Sequence, residues 1–388
     1  MPGSSRKQGI LPYQRLKELA ADGVITAEPS LTEEQFQPAS LDLRLGRKAY
    51  RLLSSFLPEH PDTFGSHAHW EDAFKSDLVM YDMDITDGAI LEKGHVYLIP
   101  LLEHLRLPKN IRGRTNPKSS TGRLDIFTRV ITNRNVGFDE IRPGYEGPLY
   151  LEVVPRSFTI RVKTGLTLNQ LRLSSGRPTV SDTDIRAIHR KTPLLYHNGE
   201  PNYSNKPLPS GKIHLNQGLF LSVDLQGSSD SHEPIIGYRA KKNSHVIDLQ
   251  KIGHYSALDY WEPISRHTKN TLLLEPEEFY ILASKERIQV PAGYASEMVA
   301  YEAACGELRT HYAGFFDPGF GVGSGKRKGT QVVLEVRPHD VPFLIYDGQT
   351  FFKVVYEKLF SLPTKLYGSA LGSSYHQQGL TLSKHFKW

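Results

Sequence analysis

The sequence predicts an all-β protein built as two tandem jelly-roll or β-barrel domains with few short helices, and three observations carry that prediction. Most of the 388 residues fall in short alternating runs rich in Val, Ile, Leu, Tyr and Phe, such as YLIPLLEHLRLP and TQVVLEVRPHDVPFLIYDG, the pattern of half-buried strands. Gly, Pro and Asn interrupt these runs every several residues, as the turns of a sandwich or barrel require. The two halves also repeat: Tyr97, Pro108, Glu152, Pro155 and Gly165 are matched by Tyr280, Pro291, Glu335, Pro338 and Gly348, each pair 183 positions apart. A shorter stretch before Asp317-Pro318-Gly319 is offset by a longer one containing Lys326-Arg327-Lys328, so the length changes sit in loops.

From the N-terminus, residues 12–26 place Tyr13, Leu16, Leu19 and Ala20 at helical spacing and stop at Asp22-Gly23, which predicts one short helix. Alternating runs follow until a segment from about Ser174 to Gly218, rich in Ser, Pro, Asn and Gly, that reads as a connector. The boundary is placed near 200, giving domains 1–200 and 201–388. At this length two cores are expected rather than one.

Composition narrows the function classes. Hydrophobic residues make up 39% and charged residues 23%, and no apolar run nears the roughly 18 residues of a membrane span, so no membrane partner is expected. The first residues carry two early basic side chains but no continuous apolar stretch, unlike a secretory signal, and a cytoplasmic location is expected. The net charge of +5 is modest and dispersed, which fits a small phosphate-bearing ligand better than a nucleic acid, whose binding needs a basic stripe. Cys305 is the single cysteine, so the chain has no internal disulfide framework and no Cys-x-x-Cys clamp. His67-Ala68-His69, near His60, lies in a polar loop with no carboxylate-histidine scaffold, and no metal ligand is assigned.

Two patterns carry chemistry. Lys118-Ser119-Ser120-Thr121-Gly122-Arg123, preceded by Arg112 and Arg114, offers hydroxyls and amides at a small-residue turn flanked by cations, the donors a polyphosphate needs. A polar turn leading into a strand has the same composition for local reasons alone. In each half one carboxylate interrupts an apolar strand: Glu152 within LYLEVV and Glu335 within VVLEV. With a two-residue period each Glu points away from its apolar neighbours. A solvated strand face would look the same, but recurrence at one repeat position favours a shared role.

With these motifs in hand, the chain resembles bacterial dCTP deaminases of the dUTPase-like superfamily. The resemblance rests on Gln37-Pro38-Ala39-Ser40-Leu41-Asp42-Leu43-Arg44-Leu45-Gly46, the turn at 118–123, the Pro-Gly turn, the strand Glu and the terminal Tyr375-His376-Gln377-Gln378-Gly379. It covers Gln37 to about Leu173, and about Phe220 to the end. It implies that Lys118, Ser119, Ser120 and Arg123 bind a triphosphate, with Lys118 standing where the family usually has Arg. It further implies that Asp317 and the strand segment at Val333 hold the nucleoside, that Tyr367, Gln377 and Gln378 close over it, and that the strand Glu is catalytic. Relatives of this kind form homo-oligomers, so a homo-oligomer is implied here.

Neither half holds the full set. The first has Arg142-Pro143-Gly144 where the family has Asp-Pro-Gly, and the second reads Tyr301-Glu302-Ala303-Ala304-Cys305-Gly306 at the phosphate turn. The expectation is therefore one composite site joining the phosphate turn of the first half to Glu335 and the tail of the second, a layout similar to double-length viral dUTPases; the competing assignment makes Glu152 the base. Hydrolytic deamination of dCTP to dUTP, supplying thymidylate synthesis, is the expected activity. Zinc deaminases need a His-x-Glu and Pro-Cys-x-x-Cys pattern, which one cysteine cannot supply, so no zinc is expected. The Glu would then shuttle protons as general acid and base, its pKa raised among Val and Leu, with Ser119 orienting the water. Mg²⁺ would arrive on the triphosphate of dCTP. A dUTPase, a bifunctional deaminase and dUTPase, and a non-catalytic nucleotide-binding regulator stay open as alternatives.

Overall fold

The computed structural model describes residues 8–56, 77–133, 135, 137–197, 205–227, 234–299, 308–310, 314–323, 328–368, 375 and 379–387. The chain divides into two compact units, Met1–Pro178 with Ser244–His254, and Thr179–Asn243 with Tyr255–Trp388. The division thus falls at 178/179 and not near 200. Val180, Ile185, Leu194 and Leu195 explain this, because they are buried in the core of the second unit. The segment expected as connector contains a helix, Asp182–Lys191, capped by the Ser181 hydroxyl, which accepts from the Asp184 N–H at 3.2 Å. Asp182 and Asp184 in its first turn and His189, Arg190 and Lys191 in its last complement the helix dipole.

In the first unit the strands are β1 (Gly9–Ile10), β2 (Ile25–Ala27), β3 (Leu41–Arg44), β4 (Lys48–Leu52), β5 (Val79–Asp84), β6 (Ala89–Leu91), β7 (Val96–Arg106), β8 (Ile111–Pro117), β9 (Ile126–Thr132), β10 (Glu140–Ile141), β11 (Glu146–Pro155), β12 (Ile160–Val162) and β13 (Thr167–Ser175). The second unit has β14 (Leu195–Tyr196), β15 (Leu219–Ser222) and β16 (Ile235–Ala240). After β17 (Ile247–Asp248), which belongs to the first unit, come β18 (Tyr255–Ser256), β19 (Trp261–Ser265), β20 (Thr271–Leu274), β21 (Tyr280–Ile288), β22 (Tyr294–Val299), β23 (Leu308–Thr310), β24 (Phe315–Phe316), β25 (Thr330–Pro338), β26 (Phe343–Tyr346), β27 (Thr350–Lys358) and β28 (Phe386–Lys387).

The predicted first helix spans Tyr13–Ala21 and buries Leu16 and Leu19. It ends at Ala21, before Asp22-Gly23 as expected, and Ile25–Ala27 beyond it is strand β2. One large sheet of the first unit runs β5-β4-β7-β11-β9, and its counterpart in the second runs β19-β16-β21-β25-β23. The other runs β1-β13-β8-β10 with β3 on β13, against β15-β27-β22-β24.

The two units keep the same pairing as well as the same order. Tyr97 pairs Val153 and Tyr280 pairs Val336; Gly113 pairs Leu173 and Ser296 pairs Tyr356; Leu41 pairs Leu171 and Leu219 pairs Val354. Even single hydrogen bonds recur, since the Tyr97 hydroxyl accepts from the Glu92 N–H at 3.0 Å and the Tyr280 hydroxyl from the Glu275 N–H at 2.9 Å. In the second unit Leu219, Leu282, Leu334 and Val354, drawn from both sheets, share one buried core. The two sheets therefore close a sandwich on alternating inward residues.

Candidate active site

In the first unit the turn at 118–123 is a single helical turn, Ser119–Gly122, entered from Lys118 in extended conformation. The Lys118 carbonyl accepts from the N–H groups of Thr121 at 2.8 Å and Gly122 at 3.0 Å. Lys118 and Ser119 are half-buried, whereas Ser120, Thr121 and Arg123 are buried and Arg112 and Arg114 are exposed. Lys118 Nζ is paired with Asp42 Oδ2 and donates to Thr167 Oγ1 at 2.9 Å. The cation that opens the turn is thus oriented by a carboxylate from β3, within the Gln37–Gly46 motif of the resemblance.

Glu152 sits on β11 between Leu98 of β7 and Arg129 of β9 and is fully buried. Arg129 donates to Glu152 Oε1 from Nε at 2.9 Å and from Nη2 at 2.5 Å, and Ser55 Oγ donates to Oε2 at 2.8 Å. The guanidinium lies 3.6 Å from the ring centroid of Phe138, a cation–π contact that fixes its plane. Next to this pair Asp139 accepts at Oδ1 from Thr115 Oγ1 at 2.7 Å and from the Val130 N–H at 2.8 Å. Burial pushes the Asp139 carboxyl up to about 6, against the pull of those two donors and of Arg129, with the Glu152 charge adding to the rise.

In the second unit Val333 and Glu335 occupy one face of β25, two residues apart, and both are buried. Asp317 opens the turn Asp317-Pro318-Gly319-Phe320, which is buried throughout. Tyr367 covers it: its N–H donates to the Pro318 carbonyl at 2.8 Å and its ring centroid lies 5.5 Å from that of Phe320. Gly319 has φ +96°, and a Cβ there would stand 3.0 Å from the Tyr367 nitrogen, so only glycine fits. The equivalent Arg142-Pro143-Gly144 of the first unit is exposed. The chain leaves that unit after Pro178, before a residue equivalent to Tyr367.

The tail returns to the second unit. Tyr375 is buried, its hydroxyl accepting from the Lys384 N–H at 3.1 Å, and Phe386 packs on Tyr260 at 5.4 Å and Trp261 at 6.0 Å between centroids. Gln377 and Gln378 lie outside the described residues, as do Tyr301–Gly306 with Cys305, Lys326 and Arg327, and His60, His67 and His69. Among the described residues no group of three or more His, Cys, Asp or Glu is arranged to hold a metal. No helix there is long and apolar enough to cross a membrane.

The site residues expected from sequence fall in both units: Lys118, Ser119, Ser120, Arg123 and Glu152 in the first, Asp317, Val333, Glu335 and Tyr367 in the second. Sequence reasoning missed Asp42, Ser55, Arg129 and Asp139 as their partners. It also missed a second carboxylate at a shared repeat position, Glu103 and Glu286, 183 apart. Glu103 accepts from the Arg44 N–H and Nε, both at 2.8 Å, and from Gln35 Nε2 at 2.9 Å; Glu286 accepts from the Ser222 N–H at 2.8 Å and Ser222 Oγ at 2.7 Å. Burial raises both carboxyls above the usual range. Searching the +183 register for charged as well as apolar residues would have found them.

Two units of the same β-sandwich type, each with a buried strand Glu, one bearing a polar Lys-Ser-Ser turn and the other a buried Asp-Pro-Gly turn, define the class; comparison with known proteins gives the family. Residues 7–177 match the model of the 2'-deoxycytidine 5'-triphosphate deaminase N-terminal domain and residues 181–386 that of its C-terminal domain. The chain belongs to the dCTP deaminase family, whose members are hydrolytic deaminases. A relative from Methanosphaera stadtmanae described as dCTP deaminase, dUMP-forming, is 31% identical over 150 residues, covering 37% of this chain and 67% of that protein. A dCTP deaminase from Histophilus somni is 28% identical over 179 residues, covering 44% and 88%. The crystal structure of 2'-deoxycytidine 5'-triphosphate deaminase from Agrobacterium tumefaciens superposes with a TM-score of 0.81 at 41% identity, over 91% of this chain and 100% of that one. The curated relatives match 34–45% of this chain, whereas the Agrobacterium structure matches 91% of it over its own full length.

Proposed function

We propose that this chain converts dCTP and water to dUTP and ammonia, through proton transfer by a buried strand glutamate, with Glu335 as the catalytic group. The observation that carries this assignment is that Glu335 shares its unit with the buried Asp317-Pro318-Gly319 turn and Tyr367, whereas the equivalent turn in the unit of Glu152 lacks the Asp and is exposed. Glu335 takes a proton from water as the oxygen adds to C4 of cytosine and delivers it to N3; it then takes the proton of the new C4 hydroxyl and passes it to the amine, so that C4=O forms as the C4–N bond breaks and ammonia leaves. Ser119 orients the water. Lys118, Ser119, Ser120 and Arg123 neutralise and hydrogen-bond the triphosphate, which carries Mg²⁺ as part of the substrate. Asp317, Val333 and Tyr367 hold the nucleoside, and Gln377 and Gln378 close over it. The dUTP formed would enter thymidylate synthesis in the cytoplasm. The reading that the two units descend from one duplicated domain is supported by their common strand order and 183-residue register.

A second reading has dUMP as the product, favoured by the relatives from Methanosphaera stadtmanae and Nanoarchaeum equitans, both described as dUMP-forming. One experiment separates the readings: ammonia and diphosphate are measured from dCTP, with dUTP and CTP as controls, in Mg²⁺ and after zinc chelation. Ammonia without diphosphate, unchanged by the chelator, is the expected result. Equal ammonia and diphosphate would establish the dUMP-forming activity, loss on chelation would overturn the metal-independent chemistry, and dCTP binding without product would make the chain a nucleotide-binding regulator.

A further inference from the structure

The repeat isolates one ion pair that accompanies the turn at 118–123. Asp42 lies on β3 opposite Gln170 of β13, and Phe220 lies on β15 opposite Lys353 of β27. Gln170 and Lys353 are 183 positions apart, so Phe220 is the second unit's counterpart of Asp42. Lys118 has Tyr301 at its counterpart position, and Thr167, which also holds the lysine, has Thr350. The second unit, which lacks the Lys-Ser-Ser turn, thus keeps the threonine and replaces both charges.

The fold does not call for those charges. Asp42 and Phe220 are both buried, so an aromatic ring satisfies the same sheet position. A buried carboxylate loses solvation that an ion pair seldom restores relative to apolar packing, and Asp42 Oδ1 is buried with no hydrogen-bond partner among the described residues. The pair is therefore a weak support of the sheet, and its geometry serves Lys118. An ammonium has three N–H donors; Asp42 Oδ2 and Thr167 Oγ1, the latter at 2.9 Å, take two, which leaves the third for a ligand oxygen. The backbone on both sides is fixed: the Lys118 N–H donates to the Leu168 carbonyl at 3.0 Å, and the Asp42 carbonyl accepts from the buried Gln35 amide at 2.9 Å. The lysine side chain is 23% exposed and that of Asp42 7%, so the pair is open to a ligand from the side of the cation.

We propose that Asp42 is a positioning residue, which holds the Lys118 ammonium in place for the triphosphate before the nucleotide arrives. This rests on the reading of residues 118–123 as the triphosphate turn. A free lysine gives up most of its rotamer freedom when it binds an anion. One already held by Asp42 and Thr167 gives up less, and binding is tighter by that difference. The Asp42 charge opposes the phosphates, but it lies behind the cation that neutralises it, so the gain from orientation prevails.

The test is a double-variant cycle on the full chain, in which the Kd of dCTP and of inorganic tripolyphosphate is read by titration calorimetry in Mg²⁺ and ammonia release gives kcat and KM. Asp42→Asn, and Asp42→Phe, which copies the residue of the other unit, are each expected to raise both Kd values and KM about tenfold with kcat nearly unchanged. In a Lys118→Met background the same substitutions are expected to change Kd by less than about twofold, because a residue that acts through Lys118 has nothing left to position. Equal effects in the two backgrounds, unchanged or tighter binding in the Asp42 variants, or a fall in kcat alone overturns the proposal. Should Asp42→Phe not fold, Asp42→Asn, which keeps the shape of the side chain, decides. Wild type that binds neither probe removes the triphosphate reading of the turn and the proposal with it, whereas binding that is blind to Asp42 removes the proposal alone.

Discussion

Arg129 and Glu152, neighbours across the β9–β11 ladder, form a two-donor ion pair in which the carboxylate is fully buried and the guanidinium is 23% exposed. Removing one partner of a buried pair leaves the other uncompensated, so Glu152→Gln is expected to lower stability by about 3 kcal/mol while retaining turnover. Glu335→Gln is expected to lower kcat by about 10² to 10⁴. Ammonia release and urea unfolding of the two variants check this; an inactive Glu152→Gln beside an active Glu335→Gln would reverse the assignment.

Asp139 gives a pH signature. Its carboxyl keeps a proton to about pH 6 in the folded chain but releases it near 3.8 when unfolded. Between those values the native state binds more protons, so the group's contribution to stability is complete below 3.8 and is lost as pH rises through 6, about 3 kcal/mol in all. An amide oxygen can accept from the same Val130 and Thr115 donors without that loss. Asp139→Asn is therefore expected to raise the urea midpoint at pH 7.5 and to flatten its dependence between pH 4 and 6.

Tyr367 is half-buried on the Asp317 turn. Tyr367→Ala should weaken that turn by about 1–2 kcal/mol of lost burial and raise KM for dCTP roughly tenfold with a smaller effect on kcat. Gly319→Ala should behave similarly, because its Cβ would press on the Tyr367 backbone. Steady-state kinetics that show a fall in kcat alone would remove the turn from nucleoside binding.

Glu103 and Glu286 test how one repeat position is wired twice. Glu103→Ala leaves the buried Arg44 guanidinium without its carboxylate, at about 3–5 kcal/mol. Glu286→Ala leaves only the neutral Ser222 donors, at about 1–3 kcal/mol. Urea unfolding followed by amide exchange in each unit should rank them in that order and localise each loss to its own unit.

The all-β class and the 183-residue register are local or self-similar properties, and both were legible. Alternation with period two reports which face of a strand is buried, and a repeated sequence reports a repeated set of such faces. The helix Asp182–Lys191 was also legible in principle, through Ser181 before Asp182 and Asp184 and through Ile185 and Ile188 at helical spacing. The surrounding Ser, Pro and Asn masked it. The turn at 118–123, the strand glutamates and the Asp-Pro-Gly turn stand out in the sequence as motifs.

What the sequence by itself determined is therefore the class of fold and the repeated register of its two halves. Tertiary structure decided the partners. Arg129 lies 23 residues from Glu152, Asp42 lies 76 from Lys118, and residues 247–248 add to β12 from 87 positions beyond Ile160. Pairing between strands far apart in the chain is set by the competition of whole sheets for register and edge. No spacing within the sequence records that outcome, which is why a glutamate visible in both halves has a known partner only once the strands are paired.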